Sequence, residues 1–189
     1  MSRLEPKTRG ALDPEQQEQY DRIARMRAPR ADETFGGPFD PWVRSPELAR
    51  RAISFGNFLW ERTSLDRRIV ELAICVTGRF WRSNVEWVAH SRMALAHGVA
   101  QETLDAIMDQ KPPLGAPGDE LLCYEICMAL HEHHELPRPL YERAIARFGE
   151  RGLVEIVGVI GYYTFVSMTL NAFEVEAPVD PQPFVRRAD

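Results

Sequence analysis

The stretch from Leu153 to Phe173 restricts the fold of this chain more than any other. Leu153, Val154, Ile156, Val157, Val159, Ile160, Phe165, Val166, Met168 and Leu170 make a helix apolar almost all round. One contact face cannot hide that much apolar surface, so the helix is expected at the centre of a helical core or shared between subunits. Glu155 and Asn171 interrupt the run, which therefore reads as a buried helix and not a membrane crossing. Gly158 and Gly161 within it are expected to admit a neighbouring backbone.

The rest of the chain carries helix signals from end to end and no sustained period-two alternation of the kind a half-buried strand needs. Asp13-Pro14-Glu15 pairs a capping residue with proline at the first helical position and opens a helix that fades near Met26. Ser45-Pro46-Glu47 predicts a second start with Ser45 as N-cap. Thr63, Ser64 and Asp66 offer the next cap, for a helix to Phe80 that turns Ile69, Leu72, Ala73 and Val76 to the core. Ser83 or Asn84 begins another, closed at His97-Gly98 with the glycine left-handed. Further helices are expected over Gln101 to Met108, Asp119 to His134, Pro137 or Pro139 to Phe148-Gly149, and Arg151 to Phe173.

Between them, residues 27–44 form an irregular connection whose Phe35, Phe39 and Trp42 must still pack, and a long aromatic loop often borders a pocket. Residues 111–118, with three prolines and two glycines, cannot be helical. They are not a domain linker, because the flanking helices are too short to fold as separate halves. The expectation is an all-α, single-domain bundle of about seven helices. Residues 1–44 give an N-terminal helix and irregular segment, 45–176 the helical core, and 177–189 an extended arm.

A length of 189 residues suits one sizeable core. The 28 acidic against 23 basic side chains, without a run of Lys or Arg, exclude a phosphate-tracking surface, so no nucleic acid partner is expected. Met1-Ser2-Arg3-Leu4-Glu5-Pro6-Lys7 has no apolar targeting core, and a cytoplasmic protein without membrane association is expected. Cys75, Cys123 and Cys127 are an odd number without disulfide spacing and read as free thiols.

Glu86 and His90, four residues apart on a predicted helix, share a face, so a carboxylate can orient an imidazole. Glu71 lies on the preceding helix, and antiparallel packing across a short turn can bring it to the same place. The alternative is a solvated ion pair worth a few tenths of a kcal/mol. Glu71 stands among Ile69, Val70, Leu72, Ala73 and Ile74, and Glu86 among Val85, Trp87 and Val88. In such company a carboxyl group is raised in pKa unless paired, which is how a general acid or base is poised near neutrality.

Arg67-Arg68-Ile69-Val70-Glu71-Leu72-Ala73-Ile74, then Asn84-Val85-Glu86-Trp87-Val88-Ala89-His90 and Ala94-Leu95-Ala96-His97-Gly98-Val99, resemble the core of the carboxymuconolactone decarboxylase family. Gly37-Pro38-Phe39, Gly161-Tyr162-Tyr163 and Leu170-Asn171-Ala172-Phe173 extend the likeness over most of the chain. The resemblance implies an all-helical, alkylhydroperoxidase D-like fold in homo-oligomers, commonly trimers or hexamers, with pockets near subunit contacts. Its alkylhydroperoxidase branch carries a Cys-Xaa-Xaa-Cys pair; Ser83 and Glu86 stand at those two positions here. Neither can form or resolve a sulfenic acid. Cys75, one turn from Glu71, is the thiol left for a redox reading.

The decarboxylase branch has a Glu-Trp segment before the histidine, which Glu86-Trp87-Val88-Ala89-His90 matches. The resemblance thus implies a cofactor-independent lyase or isomerase on a small carboxylated lactone or acid, of the kind met in aromatic catabolism. His90, oriented by Glu86, acts as acid or polariser, and Glu71 holds the proton relay or the substrate. Phe39, Trp87, Arg82 and Tyr162 are candidate substrate contacts. A thiol-dependent peroxidase and a non-catalytic oligomeric binding protein are the competing readings. His131-Glu132-His133-His134-Glu135 invites a metal reading, but it lies at a helix C-terminus without a further ligand pair and is expected at the surface, with no metal.

Overall fold

In a computed structural model of the protein, residues 2–5 and 7–185 are described, and expectations placed on Met1, Pro6 and residues 186–189 lie outside them. Among the described residues there is no strand. After a 3-10 turn at Arg9–Ala11, the helices are α1 (Pro14–Met26), α2 (Phe39–Trp42), α3 (Pro46–Glu61), α4 (Arg67–Phe80), α5 (Asn84–Ala96), α6 (Gln101–Met108), α7 (Gly118–Glu132) and α8 (Arg138–Ala172).

Most helix ends follow their local signals. The Asp13 carboxylate accepts from Gln16 N at 2.9 Å while the Gln16 side chain accepts from Asp13 N, a complete capping box. Asp66 caps α4 by accepting from Arg68 N. Gly98 takes φ 94°, and Val99 N–H donates to Ala94 O while Gly98 N–H donates to Leu95 O, the Schellman closure of α5. Gly149, at φ 70° and ψ 172°, breaks α8 where its glycine predicted a boundary. Ser45, expected to cap α3, makes no side-chain bond to it. Asp119, expected to cap α7, instead pairs with Arg68 and Arg147 from inside its first turn.

The centre of the fold is α4 and not the last helix. Every residue from Ile69 to Gly78 is buried, and α4 packs against α5, α7 and α8. Its side chains there are short or aliphatic, and its buried Glu71 and Thr77 have polar partners in His90 and His131, so burial on all sides carries little polar cost. The last helix flanks it: Ile156, Val159 and Ile160 are buried, whereas Val154 is 70% and Met168 50% exposed. By length and composition α8 could cross a membrane, but more than half of its most apolar window is buried in the fold. A Cβ at Gly158 would meet Leu59 and Phe55 at ordinary contact distance, and one at Gly161 would meet nothing within 4 Å. Between α4 and α5 the close approach is at Gly78, where a Cβ would lie 3.1 Å from the Glu86 Cβ, so glycine lets α5 settle onto α4.

The irregular segment is organised by Asp40, whose two oxygens accept from Phe35 N and Gly36 N at 2.8 Å each. Trp42 stacks on Phe165, ring centroids 5.3 Å apart, which ties α2 to α8. Tyr162 and Tyr163 touch both this smaller apolar cluster and the main core. The C-terminal arm is docked rather than free: Asn84 donates to Phe184 O at 3.0 Å and accepts from Phe184 N at 2.7 Å, and the Phe184 ring is buried against Trp87.

Candidate functional site

The α4–α5 turn brings Glu71, Glu86 and His90 together. Glu71 is fully sealed from solvent, Glu86 is 5% exposed and His90 8%. Its carboxylate Oε2 lies 2.7 Å from His90 Nδ1, and since a carboxylate only accepts, Nδ1 carries the hydrogen. The other oxygen of Glu71 pairs with the Arg67 guanidinium, one helical turn earlier. Arg67 lies in turn over the Trp60 ring, 3.3 Å from its centroid, and donates to Trp60 O. Charge-assisted bonds of this kind are the strong ones.

Glu86 faces the opposite nitrogen. Its Oε2 is 3.4 Å from His90 Nε2, near enough for an ion pair but too poorly aligned for a hydrogen bond, so this buried oxygen has no hydrogen-bond partner in the protein. Burial pushes the Glu86 carboxyl above the usual carboxylate range, Glu71 adds to the shift and His90 opposes it. The imidazole is therefore oriented by Glu71, whereas the residue spacing had suggested Glu86. Helical i,i+4 proximity puts two side chains on one face without fixing which ring nitrogen each meets.

The fourth wall is Tyr163 from α8, whose ring meets His90 edge-on at 5.1 Å. Nothing in local sequence marks it, because the contact depends on how α8 crosses α4. Arg67 was missed too, although its spacing to Glu71 was readable. Cys75 is fully buried, and its thiol is raised far above its ordinary pKa by burial, with Glu71 and Glu86 adding to the effect, so a thiolate is disfavoured. Cys127 is likewise raised, by a hydrogen bond shared with Cys123 and by burial.

The four candidate substrate contacts are not brought together. Trp87 is committed to the core beside Phe184, and Arg82 donates to Val185 O in the C-terminal arm. Phe39 packs edge-on against Trp42, 6.0 Å between centroids, with the Arg27 guanidinium over its other side. Tyr162 lines a hollow of about 730 Å³ on the α3–α8 flank with Leu48, Phe55 and Phe165, and no member of the trio opens onto it. Tyr162 touches Tyr163, which touches His90, so an aromatic relay separates hollow and trio. At the other end of the core His131 is not a surface ligand: it stacks on Phe80 and meets Thr77 Oγ1 at 3.1 Å. Among the described residues no group of His, Cys, Asp and Glu is arranged to hold a metal ion.

No protein-family model and no curated protein sequence matches the chain. Among solved structures, the chain is similar to an uncharacterised peroxidase-related protein from Ralstonia eutropha JMP134, described as an alkylhydroperoxidase AhpD core. The TM-score is 0.72 over 93% of this chain and 92% of that one, with 13% sequence identity. At that identity the likeness establishes the fold: the chain is all-helical and alkylhydroperoxidase AhpD-like.

Proposed function

From that fold as premise, we propose that the protein is a cofactor-independent lyase or isomerase that moves protons on a small carboxylated lactone or acid, with His90 as acid, Glu71 as its positioning partner and Glu86 as the second carboxyl. The observation that carries the reading is the buried relay Arg67–Glu71–His90, which leaves Nε2 facing a Glu86 oxygen with no other partner. Glu71 holds Nδ1, so Nε2 is the nitrogen left to pass a proton to substrate. The chemistry is loss of carbon dioxide into a conjugated carbonyl and return of a proton to carbon.

The peroxidase-related description of the structural relative favours a second reading, a thiol oxidoreductase using Cys75. A buried thiol raised in pKa between two carboxyl groups suits that chemistry poorly. We further propose a cytoplasmic homo-oligomer, a trimer or hexamer, in which the exposed Phe55, Val154 and Val157 are covered by another copy. Sedimentation of the protein against a Val154→Glu variant tests this, with dissociation expected.

The test of function is carbon dioxide release, and loss of conjugated absorbance, on a panel of unsaturated lactone acids. His90→Asn should lose about 10²-fold or more, and alkylation of accessible thiols should change nothing. Turnover abolished by thiol blocking would favour the oxidoreductase, and a silent panel would favour a binding protein.

A further inference from the structure

Two polar side chains on the first turn of α5 are buried and unspent. Ser83 occupies the N-cap position and Glu86 the third helical position, the Ser-Xaa-Xaa-Glu spacing of a capping box. The same device is completed at α1 by Asp13 and Gln16. At α5 it is not: Ser83 is fully buried and caps nothing, and neither its Oγ nor Glu86 Oε2 has a hydrogen-bond partner in the protein. Leaving a buried polar group unpaired is costly, because its bonds to water are lost and not replaced. A fold that keeps two of them one turn apart, the Glu86 oxygen 3.4 Å from His90 Nε2, has polar groups to offer to something else.

We infer that this turn is an oxyanion site, in which Ser83 Oγ–H and the Glu86 carboxyl group hold the carbonyl oxygen of a small acid or lactone as it becomes an enolate. The inference rests on the proton-transfer reading above and deepens it. Three features converge on negative charge at this place. The N-terminus of a 13-residue helix without a side-chain cap presents free amides and the positive end of its dipole. Burial favours the neutral form of the Glu86 carboxyl, the form that can donate. Gly78 allows the Glu86 Cβ to sit against α4, fixing the carboxyl where Nε2 is 3.4 Å away.

The step balances within the substrate and these residues. The bond from carbon to the leaving carboxylate breaks, its electron pair passes through the conjugated double bond to the carbonyl oxygen, and carbon dioxide departs. Ser83 and Glu86 hydrogen-bond the oxygen while it is charged. The pair then returns as carbon takes the proton from His90 Nε2, and His90 is reprotonated from water. Donors aimed at where charge develops, in a site closed to water, supply transition-state stabilisation that a solvated group cannot.

The test uses 4-nitrophenolate, whose absorbance reports ionisation, titrated into the intact protein. Saturable binding is expected, weakened about tenfold or more in Ser83→Ala and restored in Ser83→Thr. Ser83→Ala should melt no lower than the parent, since it removes an unpaired hydroxyl and no cap. His90→Asn should abolish turnover and keep nitrophenolate bound. Binding that depends on Ser83 in a protein with no turnover on any acid would sink the lyase reading alone. Absence of saturable binding by the parent, equal affinity in Ser83→Ala, or a lowered melting temperature in Ser83→Ala with unchanged binding would each overturn the oxyanion site.

Discussion

Replacing Glu71 by Gln changes one oxygen for an amide and leaves the shape of the side chain intact, so its effects come from charge and hydrogen direction. The parent carboxylate accepts on both sides, from Arg67 and from His90 Nδ1. Glutamine cannot: if its oxygen keeps Arg67, its amide donates to Nδ1, and the imidazole proton is forced to Nε2 in a neutral ring. Removing one partner of a buried ion pair costs about 3–5 kcal/mol. Arg67 retains the Trp60 ring and carbonyl and is 19% exposed at its side chain, which places the cost near the lower end, about 3 kcal/mol. For a chain of this length that corresponds to a fall of about 6–12 °C in Tm. The change of tautomer should cost activity on the order of 10⁴-fold, as amide replacement of a histidine-orienting carboxylate does elsewhere. Urea unfolding measures the first effect as a lowered midpoint at constant slope. A double-mutant cycle with Arg67→Met isolates the pair, and nitrogen NMR of His90 reports the tautomer. Stability within about 0.5 kcal/mol of the parent, with additive effects of the two substitutions, would refute the relay.

Gly78→Ala places a methyl 3.1 Å from the Glu86 Cβ and 3.5 Å from Trp87 N, and it should cost about 1–3 kcal/mol and shift Glu86 from His90, read as a lowered urea midpoint together with lost turnover. Glu86 is raised above 4.5 in the fold, so its contribution to stability is full below 4.5 and lost as pH rises through the folded value. Glu86→Gln should therefore gain stability over the parent progressively as urea midpoints are measured from pH 4 upward. His131 is lowered by burial from 6.5 to about 4, so stability present above pH 6.5 is lost as pH falls toward 4. His131→Phe should flatten that acid limb in a series of thermal melts. Iodoacetamide should leave Cys75 unmodified in the native protein and label it after unfolding, as intact mass measures.

Helix positions were legible because their signals act within a few residues. The Asp13-Pro14 start, the Gly98 stop and the Gly149 break are each decided by backbone donors, fixed φ values and left-handed closure next to the residue that causes them. Glu86 and His90 could be paired on the same local ground, and Glu71 through a two-helix turn. The Ser45 cap failed to form although the spacing favoured it, because such bonds are weak enough for packing to override.

By itself the sequence determined an all-helical chain, the approximate bounds of its helices, and the candidate trio of Glu71, Glu86 and His90. Only the tertiary structure decided that α4 and not α8 is the axis of the core, that Glu71 holds the imidazole while Glu86 waits on its far side, that Tyr163 closes against His90, and that Phe184 docks on Trp87. The division has a physical cause. Hydrogen bonds along a helix are made between neighbours in sequence, whereas apolar burial is non-directional and is shared out among every surface the chain can bring together.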